Sequence, residues 1–261
     1  MFRNAIVRVP GSNFADGLTT VDFGVPEYAK ALQQWEAYCA ALESCGLILT
    51  RLEADLRHPD STFVEDAAVV TPHGAMLTRP GAASRLGEVE AIAAMVRGFY
   101  PEAAQIGVPG TLDGGDICEA GRHFFFGLSH RTNEEGARQL AEHLRKEGYT
   151  SSCVDVRGMT SILHLKSGIS YIGPGPAGEG TLVVMEEMAD WPEFAAYDLL
   201  RVSPEESYAA NCVRVNDRVL VAAGYPQMTE ELTRRGYDPL VLEMSEFRKM
   251  DGGLSCLSLR F

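Results

Sequence analysis

The chain has 261 residues, 46% hydrophobic and 23% charged, the proportions of a soluble globular protein long enough to bury a substantial core. Its formal charge of -13 disfavours a surface that tracks nucleic-acid phosphates; it suits a cationic ligand, or simply solubility. No run approaches the roughly 20 apolar residues of a membrane span, and Met1–Pro10 lacks the apolar core of a signal peptide, so a cytoplasmic location is expected.

In chain order, Ala5–Val9 reads as a strand, and Tyr28–Ser44 as a helix with Leu32, Trp35 and Leu42 at helical spacing, closing near Gly46 before the strand Leu47–Leu52. Glu65–Val70 and Ala75–Thr78 form a strand pair, followed by a helix over Glu88–Phe99. Gly115–Cys118 and His123–Phe126 repeat the pair, followed by a helix over Asn133–Gly148. The pattern returns at Leu163–Lys166 with Ile169–Ile172, and at Ala210–Val215 with Arg218–Val221. A helix over Met228–Arg235 and a strand at Pro239–Leu242 complete that unit. The first strand of a pair often stands beside an acidic or amide residue. Spacing of roughly 45 to 50 residues between units signals a repeat architecture. The unit is strand, strand, helix, strand, and the C-terminal Leu257–Phe261 is placed to close a ring with Ala5–Val9.

This predicts one α/β domain over residues 1–261, built of modules around a pseudo-symmetry axis. A doubly wound sheet is the alternative, but Gly107-Val-Pro-Gly110 and Gly173-Pro-Gly-Pro-Ala-Gly178 read as proline-containing loops rather than phosphate cradles.

Cys39, Cys45, Cys118, Cys153, Cys212 and Cys256 show no CxxC or Cys/His spacing, so a structural zinc is not expected. Cys256 stands apart because it follows the flexible turn Asp251-Gly-Gly-Leu-Ser, which can expose a side chain at a strand entrance. A lone thiol is more often a small buried hydrophobe, and reactivity demands a neighbour that polarises it. His164, in the apolar Ile162-Leu-His-Leu-Lys166, can be that neighbour or a core histidine bonded to a carbonyl. Asp113 in Leu112-Asp-Gly-Gly-Asp116 can orient an imidazole, although Asp-Gly-Gly is also a turn sequence. Adjacent Glu65 and Asp66 in an otherwise apolar strand require a cation: a planar ligand guanidinium, or Arg79 or Arg85 of the chain itself. Arg85 and Arg131 lie in polar loops, as a carboxylate clamp or as solvated charges.

Together these segments closely resemble the dimethylarginine dimethylaminohydrolases of the guanidino-group-modifying (pentein) superfamily. The strongest matches are Phe63–Val70, Thr78–Arg85, Leu112–Asp116, Gly127–Asn133, His164–Ser167, Ala209–Cys212 and Met250–Cys256, in the family's order along almost the whole chain. The resemblance implies a five-bladed α/β propeller. It implies Cys256 as nucleophile, His164 as general acid/base and Asp113 as its orienter. Glu65 and Asp66 match the carboxylates that hold the guanidinium. Asp60, with the backbone of Leu18 and Met250, matches positions around the substrate α-amino group, and Arg85 and Arg131 match its carboxylate clamp. Gly11–Thr19 resembles the family's mobile lid.

The implied reaction hydrolyses dimethylarginine to citrulline and dimethylamine through a thiouronium on Cys256, with no metal or organic cofactor and with a small guanidino amino acid as substrate. No nucleic acid or membrane enters, and a homodimer is compatible with the resemblance. Arginine deiminase is the nearest rival, but its members are usually longer through an inserted helical region. A non-catalytic binding propeller predicts loss of the Cys/His/acid set. Adventitious zinc on Cys256 and His164 is a secondary reading, since two ligands make a poor structural site.

Overall fold

A computed structural model describes residues 1–174 and 180–261. The chain runs β1 (Asn4–Arg8), α1 (Tyr28–Ser44), β2 (Ile48–Leu52), β3 (Ala68–Val70), β4 (Ala75–Leu77), α2 (Glu88–Phe99), β5 (Ala104–Gln105), β6 (Ile117–Ala120) and β7 (His123–Leu128). It continues through α3 (Glu134–Lys146), β8 (Thr150–Asp155), α4 (Leu165–Gly168), β9 (Ile169–Pro174), β10 (Gly180–Met185), β11 (Asp198–Val202) and β12 (Val213–Val215). Last come β13 (Arg218–Ala222), α5 (Pro226–Arg234), β14 (Asp238–Leu242), α6 (Ser245–Arg248) and β15 (Leu259–Arg260).

The described residues form five three-stranded sheets, ordered β3-β4-β5, β6-β7-β8, β9-β10-β11, β12-β13-β14 and β15-β1-β2. In each, the central strand pairs antiparallel with the first strand and parallel with the third. A parallel pair needs a crossover, and the helices supply it. Helix α1 buries Ala31, Trp35, Tyr38 and Leu42, α2 buries Val89, Ile92 and Val96, and α3 buries Ala137, Leu140 and Leu144. The third sheet departs from the expected unit: two short 3-10 turns, Glu186–Met188 and Pro192–Phe194, replace the helix. The ring closes as the termini predict, with Ala5 opposite Arg260 and Ile6 opposite Leu259. This is the five-bladed α/β propeller.

The first strands begin later than their apolar runs suggest. Glu65 and Asp66 lie in a 3-10 turn, Val64–Ala67, ahead of β3; Gly115 lies in the turn Gly114–Asp116 ahead of β6; and Ala210 ends the turn Pro204–Ala210 ahead of β12. Leu163–Lys166 is not a strand: His164 caps the single-turn helix α4, and Ile169–Pro174 is the first strand of its sheet, pairing with β10. Of the expected loop 173–178, Gly173 and Pro174 instead end β9, and residues 175–178 lie outside the described residues. The physical reason is directional. Neighbours on a strand point to opposite faces, so Glu65 and Asp66 could not both turn toward the ring's centre from one.

Closure rests on few residues. Leu259 is buried, and Phe261 packs edge-on against Phe99 and Tyr100 at centroid distances of 4.8 and 5.6 Å. Removing Leu259–Phe261 is expected to cost about 4 kcal/mol of stability, measured by urea unfolding. A loss below about 1 kcal/mol would show that the ring does not depend on this strand.

Candidate functional site

Each sheet is entered through a short turn, and the turns bring together residues from distant parts of the chain. Asp113 immediately precedes the turn Gly114–Asp116, His164 caps α4, and Cys256 sits in the turn Ser255–Leu257. The two glycines of Asp113-Gly-Gly-Asp116 serve close approach: a Cβ on Gly115 would stand 2.8 Å from His164 Nδ1 and 2.9 Å from Asp66 Oδ1. The glycines before Cys256 act the same way. A Cβ on Gly253 would collide with Asn211, and one on Gly252 with the Phe63 ring, so this turn is packed rather than flexible.

His164 Nε2 lies 3.0 Å from Asp113 Oδ2, and both residues are buried. Gly81 N–H donates to Asp113 Oδ1 at 2.9 Å, and Thr132 Oγ1 accepts the Asp113 N–H at 3.1 Å. Burial alone would push the imidazole down, but Asp66, Asp116 and the Asp113 hydrogen bond outweigh it and lift His164 to about 9. Asp116, fully buried, accepts from Ser129 Oγ at 2.6 Å and from Leu165 N–H at 3.0 Å, fixing the backbone beside His164. Cys256 is driven the other way. Burial, then the Glu65 and Asp66 carboxylates, push its thiol up to about 12.

Both members of the acidic pair have partners within the protein. Asp66 accepts from Arg85 Nη1 at 2.6 Å and from Gly115 N–H at 2.7 Å. Glu65 pairs with Lys166 Nζ at 2.6 Å and Arg260 Nη2 at 3.2 Å, and accepts from Ser255 Oγ at 2.8 Å. The internal Arg85 partner that the sequence left open thus exists for Asp66. Arg85 is itself buried and held by Glu88 at 2.8 Å, with two carbonyls, of Asp60 and Phe63, on Nη2. Arg131 differs: its buried Nη1 has no hydrogen-bond partner among the described residues and stands 3.8 Å from Asp113 Oδ2. Such a donor suits an incoming carboxylate.

Leu18, Asp60 and Met250 also gather. The Leu18 N–H donates to both Asp60 oxygens, at 3.0 and 3.2 Å, and a Cβ on the neighbouring Gly17 would meet Met250 Cε at 3.2 Å. The segment is fastened further by Thr20, whose N–H and hydroxyl donate to Asp251 Oδ2 at 2.5 and 2.9 Å. Asp66, Asp113 and His164 place donor atoms within 4.8 Å of one another. Within this trio His164 is hydrogen-bonded to Asp113, and Asp66 acts on it through charge.

Glu88, Asp116, Lys166, Asn211, Ser255 and Arg260 belong to this network and were not singled out as site residues from sequence. For Asp116 and Asn211 the signal was present, as the acidic or amide residue at a strand entrance.

The chain is 45% identical over 262 residues to N(G),N(G)-dimethylarginine dimethylaminohydrolase of Pseudomonas aeruginosa, with all of both chains covered. It is 34% identical over 259 residues to the protein of that name from Streptomyces coelicolor, covering 99% of this chain and 96% of the relative. A solved structure of the Pseudomonas aeruginosa enzyme, a cysteine-to-serine mutant complexed with citrulline, matches at a TM-score of 0.94 with 45% identity over the whole of both chains. No protein-family model matches.

Two titrations check this site. In the ligand-free protein, iodoacetamide alkylation of Cys256 is expected to keep rising with pH beyond pH 9, because a raised thiol pKa leaves little thiolate at neutrality; a plateau below pH 8 contradicts it. The His164 imidazole, followed by NMR, is expected to lose its proton near pH 9, and earlier in Asp113→Asn, which removes a stabilising carboxylate. Since the folded value lies above the ordinary 6.5, the stability it contributes is complete below that pH and disappears as pH rises through about 9.

Proposed function

The chain belongs to the dimethylarginine dimethylaminohydrolase family, and from that premise we propose that it hydrolyses dimethylarginine to citrulline and dimethylamine, with Cys256 as nucleophile and His164 as general acid and base. One observation carries the reading. The candidate nucleophile lies beside two carboxylates that raise its pKa, an arrangement that hinders attack on a neutral carbonyl and suits an electrophile bearing positive charge.

Glu65 and Asp66 keep lone pairs beyond their internal contacts, and these receive the guanidinium. Its arrival offsets their repulsion of sulfur, so substrate binding itself favours the thiolate. Arg131 holds the substrate carboxylate through Nη1, which has no hydrogen-bond partner among the described residues. Arg85 adds positive charge from within its pairs with Asp66 and Glu88. Asp60 and the backbone of Leu18 and Met250 surround the α-amino group.

With the guanidinium seated, the Cys256 thiol loses its proton to solvent, and Sγ then bonds to the central guanidinium carbon. His164, protonated and held by Asp113, gives its proton to the dimethylamino nitrogen as the C–N bond breaks, since an amide anion would not leave. A thiouronium remains on Cys256. Neutral His164 takes one proton from water as the oxygen adds to the same carbon, and the C–S bond then breaks, the remaining hydroxyl proton passing to solvent or the released amine, to give citrulline and the thiolate.

The proposal extends to one catalytic domain over residues 1–261, acting in the cytoplasm as a small-molecule enzyme with no nucleic-acid or membrane partner, and compatible with a homodimer. Among the described residues no helix is long and apolar enough to cross a membrane.

Purified protein is expected to release equal amounts of dimethylamine and citrulline from dimethylarginine, with a thiouronium adduct on Cys256 seen by mass spectrometry during turnover. Cys256→Ser and His164→Gly should each lower kcat by about 10³-fold. Faster turnover of arginine or agmatine than of dimethylarginine would overturn the substrate assignment.

A further inference from the structure

We propose that Asn211 is a positioning residue that fixes the separation of Cys256 and His164 by tying the turn that carries the thiol to the turn that carries the imidazole. The inference rests on the catalytic roles proposed above and adds a residue outside them. Asn211 is buried and follows the turn Pro204–Ala210, in a sheet that contributes none of the reacting groups. Its Oδ1 accepts the Ser255 N–H at 3.1 Å, while its Nδ2 donates to the Lys166 carbonyl at 2.7 Å and to Ser255 Oγ at 3.0 Å. Ser255 directly precedes Cys256, and Lys166 lies two residues beyond His164.

The contacts close into a circuit. Asn211 binds Ser255, Ser255 Oγ donates to Glu65 Oε2, Glu65 pairs with Lys166, and the Lys166 carbonyl returns to Asn211. Four strand entrances, those of β3, β9, β12 and β15, are thereby stitched together around the thiol. Gly253 has no side chain where Asn211 Oδ1 needs the space, which fits an amide seated against the nucleophile turn.

The chemistry of the amide explains the residue type. The position must accept from one N–H and donate to one carbonyl oxygen and one hydroxyl, which a carboxamide does and neither a carboxylate nor a methyl group can. An aspartate here would keep the contact to Ser255 N–H, face the Lys166 carbonyl with like charge, and place another negative group near sulfur. An alanine would leave Ser255 N–H and the Lys166 carbonyl buried and unpaired.

The test compares native protein with Asn211→Ala and Asn211→Asp for kcat and KM on dimethylarginine, for the pH profile of Cys256 alkylation by iodoacetamide, and for thermal melting. Misplacing reacting atoms by about 1 Å costs about 100-fold in rate, so Asn211→Ala should lose about that much in kcat, with KM within about threefold of native. Asn211→Asp should fail to restore kcat and should shift the alkylation profile to higher pH. A kcat within about threefold of native in folded Asn211→Ala, or an unmoved alkylation profile in Asn211→Asp, would overturn the proposal. If Asn211→Ala does not fold, Ser255→Ala decides: it keeps the Ser255 N–H contact and removes the hydroxyl link, and a native kcat overturns the circuit. Should native protein fail to turn over dimethylarginine, the functional reading falls by itself, while the alkylation comparison still judges Asn211 without any substrate.

Discussion

The centre of this ring buries opposite charges that must pair with one another. Asp60, Glu65, Asp66, Glu88, Asp113 and Asp116 are all buried, and the cations beside them are Arg8, Arg85, Arg131, Lys166, Arg260 and His164. In a region of low dielectric an unpaired charge is costly, so the acids depend on their counter-ions. In the proposed reaction a substrate guanidinium enters as one more cation for Glu65 and Asp66. Burial, then the Glu65 and Asp66 carboxylates, raise the Cys256 thiol, and Asp66, Asp116 and Asp113 raise the His164 imidazole against its burial, so in the proposed reaction the nucleophile starts protonated and the general acid already holds its proton. In that proposal an arriving cation eases ionisation of the thiol, which favours it over neutral electrophiles.

That concentration of charge follows from the repeat. Each sheet begins with a turn aimed inward, and a residue at the end of such a turn is carried to the axis whatever its distance in sequence. Asp66, Asp116, His164, Asn211 and Cys256 come from five different turns, and the last joins them only because β15 pairs with β1. Crowding is the consequence. Gly115 and Gly253 lie where a single added methyl would meet the imidazole, the Asp66 carboxylate or the Asn211 amide. The backbone is therefore as much a part of the site's geometry as the side chains.

Much of this was legible in the residues, for identifiable reasons. Helices α1 and α2 follow directly from apolar spacing, because residues three and four apart share one face of a helix and are buried together. The strand entrances were harder. Runs such as Phe63–Val70 and Ile162–Lys166 are apolar because they are buried at the centre of the ring, and burial alone does not separate a strand from a tight turn. The third sheet was displaced by one strand for that reason, His164 belonging to a cap rather than to a strand. In the site, Asp113 was readable as a carboxylate for an imidazole. The engagement of Arg85 by both Asp66 and Glu88 was not, since pairing across turns depends on three-dimensional closure. Lys166 and Arg260 look like ordinary surface charges in sequence and act as counter-ions to Glu65 only because the ring brings them inward.

The segment from Leu18 to Phe23, which continues the proposed lid, is tied to the same centre. Leu18 is bound to Asp60, one of the central carboxylates, and Thr20 to Asp251, five residues before the nucleophile. Asp251 holds a left-handed backbone angle, φ 56°, which a short polar side chain tolerates better than most. Arg248, three residues earlier, stacks its guanidinium over Phe23 at 4.6 Å and over Tyr208 at 5.1 Å. Tyr208 in turn donates to the Gly252 carbonyl at 2.8 Å. Residues 18–23 and the loop ahead of Cys256 thus meet around Arg248, Asp251 and Gly252, so the proposed lid and the proposed nucleophile are packed through the same few side chains. In the proposed reaction, where substrate must be enclosed before sulfur acts, that shared packing would tie the seating of the segment to the placement of the thiol.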